Sequence, residues 1–160
     1  MRKDSVSFFI AALALLVLPL KWLLSAVIAA LFHEICHLFV LWLLKEKVCS
    51  FRITFHGCAI VTGDMPDWKQ AVSILAGPIG SLSLLLIRSK LPLIALCGLF
   101  HGAYNLLPVL PLDGGRLLRL ALYRIIPKHA DGIMLITGII IRFLLISTLT
   151  YVLLCKYGFH

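Results

Sequence analysis

Acidic residues are scarce in this chain. Seven Asp and Glu stand against fifteen Lys and Arg in 160 residues, and charged residues make up only 14% of the whole. A water-soluble domain carries about 25% charged and about 45–50% apolar residues. Here the apolar share is 61% and the mean hydropathy is +1.04, which excludes an ordinary soluble domain. A basic stripe interleaved with aromatics is also missing, although the formal net charge is +8. The Lys and Arg residues sit instead at the ends of apolar runs, as they do around membrane spans, so nucleic acid is not expected as a partner. No CxxC occurs, and the five cysteines (36, 49, 58, 97 and 155) are odd in number, so a disulfide framework is not expected. There is no tandem repeat and no low-complexity linker, and the length suits one domain, residues 1–160.

What the chain does have is long apolar runs, at 5–20, 22–44, 71–87, 91–107 and 132–154. The first could be a secretory signal, but no small-x-small cleavage site precedes Trp22, so a retained short span is expected. The third is broken by Gly77-Pro78, the fourth carries Gly98 and Gly102, and the fifth holds Arg142 near its middle. Between the second and third runs the period changes. Phe51, Ile53 and Phe55 alternate with polar residues, His56-Gly57 offers a turn, and Cys58, Ile60 and Thr62 alternate again. That pattern predicts a β-hairpin with one apolar face. The stretch 116–125 reads as a short basic helix at the interface. The expected fold is therefore an all-α polytopic membrane protein, with about five transmembrane helices and a small membrane-associated β-hairpin. With the N-terminus inside, ten basic residues flank the cytoplasmic ends and four the opposite ends, which supports that orientation. The hairpin and the loop holding Asp113 then face the cytoplasm.

Chemistry concentrates in His33-Glu34-Ile35-Cys36-His37, near the middle of the second run. On a helix, residues i and i+4 share a face, so two imidazoles can grip one cation with Glu34 beside it. Zinc suits such ligands and keeps a position open for water. A pair of packing histidines with an incidental Glu is the bland alternative. It fits poorly, because a carboxylate at the bilayer centre costs about 2.5–3.5 kcal/mol on insertion scales and needs a compensating charge or water. A third ligand is required. Asp113 could supply it or merely cap the next helix; His101, one turn before Asn105, could supply it or bond across helices; His56 reads most simply as a turn residue. Spacing leaves Asp113 and His101 even.

The HExxH motif in an apolar run, Ala76-Gly77-Pro78 in the next, and Asn105-Leu106-Leu107-Pro108-Val109-Leu110-Pro111-Leu112-Asp113-Gly114-Gly115 after the one following together resemble the site-2 protease family of intramembrane zinc metalloproteases. Order and spacing are most similar to the minimal branch containing the sporulation protease that processes a pro-sigma factor, over roughly residues 22–120. The resemblance implies one zinc per chain held by His33, His37 and Asp113, Glu34 as general base, and Asn105 steadying substrate or oxyanion. It also implies a multi-pass protein of a prokaryotic cell membrane with its active site towards the cytoplasm. The substrate would be a membrane-anchored protein cut in or next to its transmembrane segment, in regulated proteolysis that can involve further membrane proteins. The 160 residues show no PDZ insertion and no soluble C-terminal regulatory region. Two other classes compete: a b-type haem electron carrier ligated by His33 or His37 with His101, which leaves Glu34 unexplained, and a catalytically silent membrane scaffold.

Overall fold

The computed structural model describes residues 19–46, 48–54, 57–62 and 65–157. Most of the first apolar run, together with Phe55, His56 and Asp64, lies outside the described residues. Helix α1 spans Leu20–Leu43, strands β1 and β2 span Val48–Thr54 and Gly57–Thr62, and α2 spans Asp67–Ser83 with a 3-10 continuation to Ile87. Helix α3 follows at Pro92–Asn105, α4 at Asp113–Ile125 and α5 at Ala130–Tyr157. Among the described residues, three stretches are long and apolar enough to cross a membrane: Leu20–Leu43, Asp67–Ile87 and Pro127–Lys156. The 14 residues of α3 rise about 21 Å, short of a ~30 Å hydrocarbon core if the helix stands upright. The chain divides into two compact units, Met1–Leu106 and Leu107–His160.

In the first unit α1, α2 and α3 pack on one another. Helix α1 buries Ser25, Ala29, His33, His37 and Leu41, one residue per turn, while Leu24, Ile28, Leu31, Ile35 and Phe39 are exposed. Ser25 and the two histidines face protein, and most of the large apolar side chains face outward. In water that arrangement would be unstable; in lipid, where every polar group needs an internal partner, it is the stable one. Trp22 and Trp42 are exposed near the two ends of α1. Twenty residues of helix separate them, a rise of about 30 Å, the spacing of two interfacial belts. His33 falls near the midpoint.

The helix stops in a Schellman turn. Glu46 N–H donates to Leu41 O (3.0 Å) and Lys45 N–H to Trp42 O (3.0 Å), with Lys45 in the left-handed region at φ 56°. Lys69 of α2 then reaches back to pair with Glu46 and to donate to Leu44 O at 3.4 Å. The strands β1 and β2 pair antiparallel, Phe51 with Ile60, Ile53 with Cys58 and Thr54 with Gly57, with an irregularity between Val48 and Ser50. Gly57 is thus already in the ladder, where the sequence pattern put it in the turn.

Helix α2 buries Ser73, Ile74, Gly77, Pro78 and Ser81, and α3 buries Ala95, Gly98, Gly102 and Asn105. These small-residue faces let the backbones close up: a Cβ added at Gly98 would stand 2.8 Å from Ser81 O, and one at Gly102 would stand 3.2 Å from Pro78 O.

In the second unit, Val109 is buried, and the 107–112 segment folds back over the first turn of α4. A Cβ at Gly115 would stand 2.6 Å from Leu110 N, so only glycine fits there. Tyr123 O–H lies 2.7 Å from both Asp131 carboxylate oxygens, which ties α4 to the start of α5. Thr148 and Thr150 satisfy their hydroxyls on the carbonyls four residues back, each at 2.8 Å, as apolar surroundings require.

Candidate metal centre

The site is best read from α1 outward. His33 and His37 lie four residues apart on its buried face, with relative exposures of 2% and 7%. Their Nε2 atoms face each other at 3.1 Å. Two nitrogens bound to one tetrahedral zinc at about 2.05 Å would stand about 3.3 Å apart, so the pair is already at ligand spacing. The rings are set by α2. His37 Nδ1 donates to Ser73 O at 2.7 Å, and His33 Nδ1 lies 2.9 Å from Ser81 Oγ. Ligand histidines characteristically anchor the far ring nitrogen in this way and so present the other to metal.

Gly77 makes the arrangement possible. A Cβ there would stand 2.6 Å from His33 Nε2 and would also collide with His37 Nε2, so a side chain at this position would occupy the space where the two ligand nitrogens meet. Both donor chemistry and spacing therefore fit a zinc ion.

Glu34 is half-buried on α1 beside this pair. His101 comes from α3; its ring meets His33 edge to face, centroids 4.8 Å apart. That contact leaves no room for a macrocycle between them, so the His33–His101 haem alternative is not supported. Asn105 is buried at the end of α3 and donates Nδ2–H to His101 O at 3.0 Å. In the second unit Asp113 is buried as the first residue of α4 and lies 3.6 Å from Arg116 across one turn. The helix's N-cap is Leu112, so Asp113 is not the cap; its charge still suits the positive helix end. Gly77 and Ser81 carry roles that the spacing of the motif does not reveal. The Ala76-Gly77-Pro78 motif pointed to the former, and nothing pointed to the latter.

These features, apolar outside and a histidine pair with anchored rings inside, define a membrane metallohydrolase. Residues 58–146, more than half of the chain, match the model of Peptidase family M50, and the chain belongs to that family. The matched stretch contains the Gly77-Pro78 and Asn105–Gly115 motifs and begins after His37. The solved structure of the site-2 protease from Methanocaldococcus jannaschii is similar in fold, with TM-score 0.67 and 21% identity over 90% of this chain and 76% of that one. The search of curated protein sequences found no match. The chain is thus an integral membrane protein and an intramembrane metalloprotease of the site-2 protease family.

Proposed function

We propose that this chain is a zinc endopeptidase that hydrolyses a peptide bond in or next to the transmembrane segment of a membrane-anchored protein. One observation carries the reading: two Nε2 atoms 3.1 Å apart, their rings anchored through Nδ1. His33, His37 and Asp113 would hold one zinc per chain, two neutral imidazoles and a carboxylate oxygen being an ordinary zinc donor set. When bound, zinc supplies a Lewis acid that polarises the scissile carbonyl and makes water acidic enough to attack near neutral pH. Glu34 takes the proton of that water and delivers it to the leaving amine. Asn105 Nδ2 keeps a second hydrogen beyond the one given to His101 O, and with it steadies the substrate or the oxygen where negative charge grows.

A substrate helix hides its peptide bonds in its own hydrogen bonds, so the segment cut must be one that unwinds readily. In this reading both units act together as one protease domain. Helix α3 also crosses the membrane, and the β1–β2 hairpin lies at the membrane surface. The basic bias puts the hairpin and the Asp113 loop on the cytoplasmic side of a prokaryotic membrane. The sequence order of motifs favours the minimal branch and a place in regulated proteolysis.

Glu34→Gln tests the chemistry. The amide cannot accept a proton, so the variant should retain zinc and lose cleavage by at least 100-fold, measured on the same preparation. Near wild-type cleavage would remove Glu34 from its role. Wild-type protein that takes up zinc and binds membrane-anchored proteins without cutting them would favour the silent scaffold.

A further inference from the structure

Helix α4 and the turn after it carry a cluster of cations that the metal centre does not use. Between Gly114 and Ala130 stand Arg116, Arg119, Arg124 and Lys128, with no Asp or Glu among them. All four are exposed. Arg116 pairs with Asp113 one turn back. The other three lie further along, where α4 leads into α5 through the Pro127–His129 turn. Among the described residues, Arg119 and Lys128 have no hydrogen-bond or ion-pair partner.

The depth of this cluster in the membrane follows from α5. The apolar run 132–154 rises about 34 Å as a helix, enough to cross a ~30 Å hydrocarbon core. A carboxylate is costly inside that core, so Asp131, just outside the run, stands at headgroup level. Tyr123 O–H lies 2.7 Å from both Asp131 oxygens and holds the end of α4 at the same level. The Arg119 guanidinium sits over the Tyr123 ring, its carbon 5.2 Å from the ring centre. Ile125 and Ile126 are exposed beside the cations, as anchors in an interfacial segment are.

We propose that Arg119, Arg124 and Lys128, arranged around the Tyr123–Asp131 tie, form a site for the phosphate headgroups of anionic phospholipids. The inference rests on α5 crossing the bilayer and is independent of the zinc reading. Charge complementarity carries it: three cations stand against one carboxylate, and that carboxylate already accepts from Tyr123. A soluble acidic protein would have to pass the headgroup layer to reach these charges, whereas lipid phosphates lie at their level. A guanidinium already ordered over a ring also loses less freedom on gripping a phosphate. Each interfacial cation favours an anionic lipid surface by about five-fold, so three together carry about a 100-fold preference, part of which salt screens.

The test offers the full chain, in a neutral detergent, equal amounts of phosphatidylglycerol and phosphatidylcholine. Native mass spectrometry counts the lipid retained, at low and at high salt. Wild type should retain phosphatidylglycerol over phosphatidylcholine by about tenfold or more at low salt, and less at high salt. R119Q/R124Q/K128Q should bring the two lipids to within about twofold of each other. R119K/R124K/K128R, which keeps the charges, should retain most of the preference. K21Q/R88Q/K90Q removes three exposed cations elsewhere and should behave as wild type does. Wild type with no preference, or a preference that survives in R119Q/R124Q/K128Q, would overturn the site. An equal loss in K21Q/R88Q/K90Q would reduce it to net charge alone and overturn it too. Displacement of the lipid by an equal concentration of inorganic phosphate would overturn the lipid as occupant. The wild-type preference and its salt dependence need no substitution, so they decide even if a variant fails to fold.

Discussion

Gly77 is where the chain's chemistry and its packing meet most closely. Its missing side chain lets α2 approach α1 until the two imidazoles share one small space, and a methyl there would stand 2.6 Å from His33 Nε2. Gly77→Ala should therefore fold with unchanged helix content, since Ala favours a helix by about 1 kcal/mol over Gly. It should nevertheless retain less than a tenth of wild-type zinc by metal analysis, and full retention would show that the rings can turn aside. The third ligand is separable in the same assay: Asp113→Ala should lose zinc, whereas His101→Ala should keep it. The reverse result would give the role to His101. The spacing of the histidine pair was legible in the sequence because i and i+4 neighbours on a helix are local. Gly77 was legible only through a resemblance, and Ser81 not at all, because its partner lies 48 residues away and serine in an apolar helix carries no pattern.

The elements follow from periodicity, and their ends from rules that composition blurs. The apolar runs at 22–44 and 132–154 became helices at Leu20–Leu43 and Ala130–Tyr157, close to their expected limits. The run at 71–87 starts four residues earlier, at Asp67, because Pro66 precedes the helix without needing an N–H and an acidic residue suits its first turn. Helix α4 likewise begins at Asp113 rather than 116, since Gly114 and Gly115 are tolerated in a first turn packed against its own loop. The end of α1 was hidden for the opposite reason. A Schellman turn usually announces itself by glycine, and here Lys45 takes the left-handed position at a cost of about 1–2 kcal/mol. Lys45→Gly should relieve most of that strain. Stability in a denaturing-detergent titration should rise by about 0.5–1 kcal/mol, the gain being partly offset by glycine's greater freedom when unfolded. A loss of stability would mean that the lysine side chain contributes more than its backbone costs.

At the scale of the molecule, the inverted distribution of polarity is the main fact. Polar groups gather on the faces α1, α2 and α3 turn towards one another, and most of the large apolar side chains look outward. Composition announced this before any element was assigned, since so few charges and such long apolar runs leave no other solvent. The number of spans was less legible, because α3 is short and small-residue rich and reads as a span only by hydropathy. The buried histidine pair is proposed to work as the centre of a zinc-dependent protease within the bilayer. Its most direct test is cleavage by the purified full chain, reconstituted in vesicles with a panel of single-span proteins whose transmembrane segments carry helix-weakening residues. At least one should be cut in or beside its span, cutting should stop with a zinc chelator, and it should return when zinc is restored. Cleavage that persists in the chelator, or no cleavage of any panel member by zinc-loaded protein, would contradict a zinc-dependent protease.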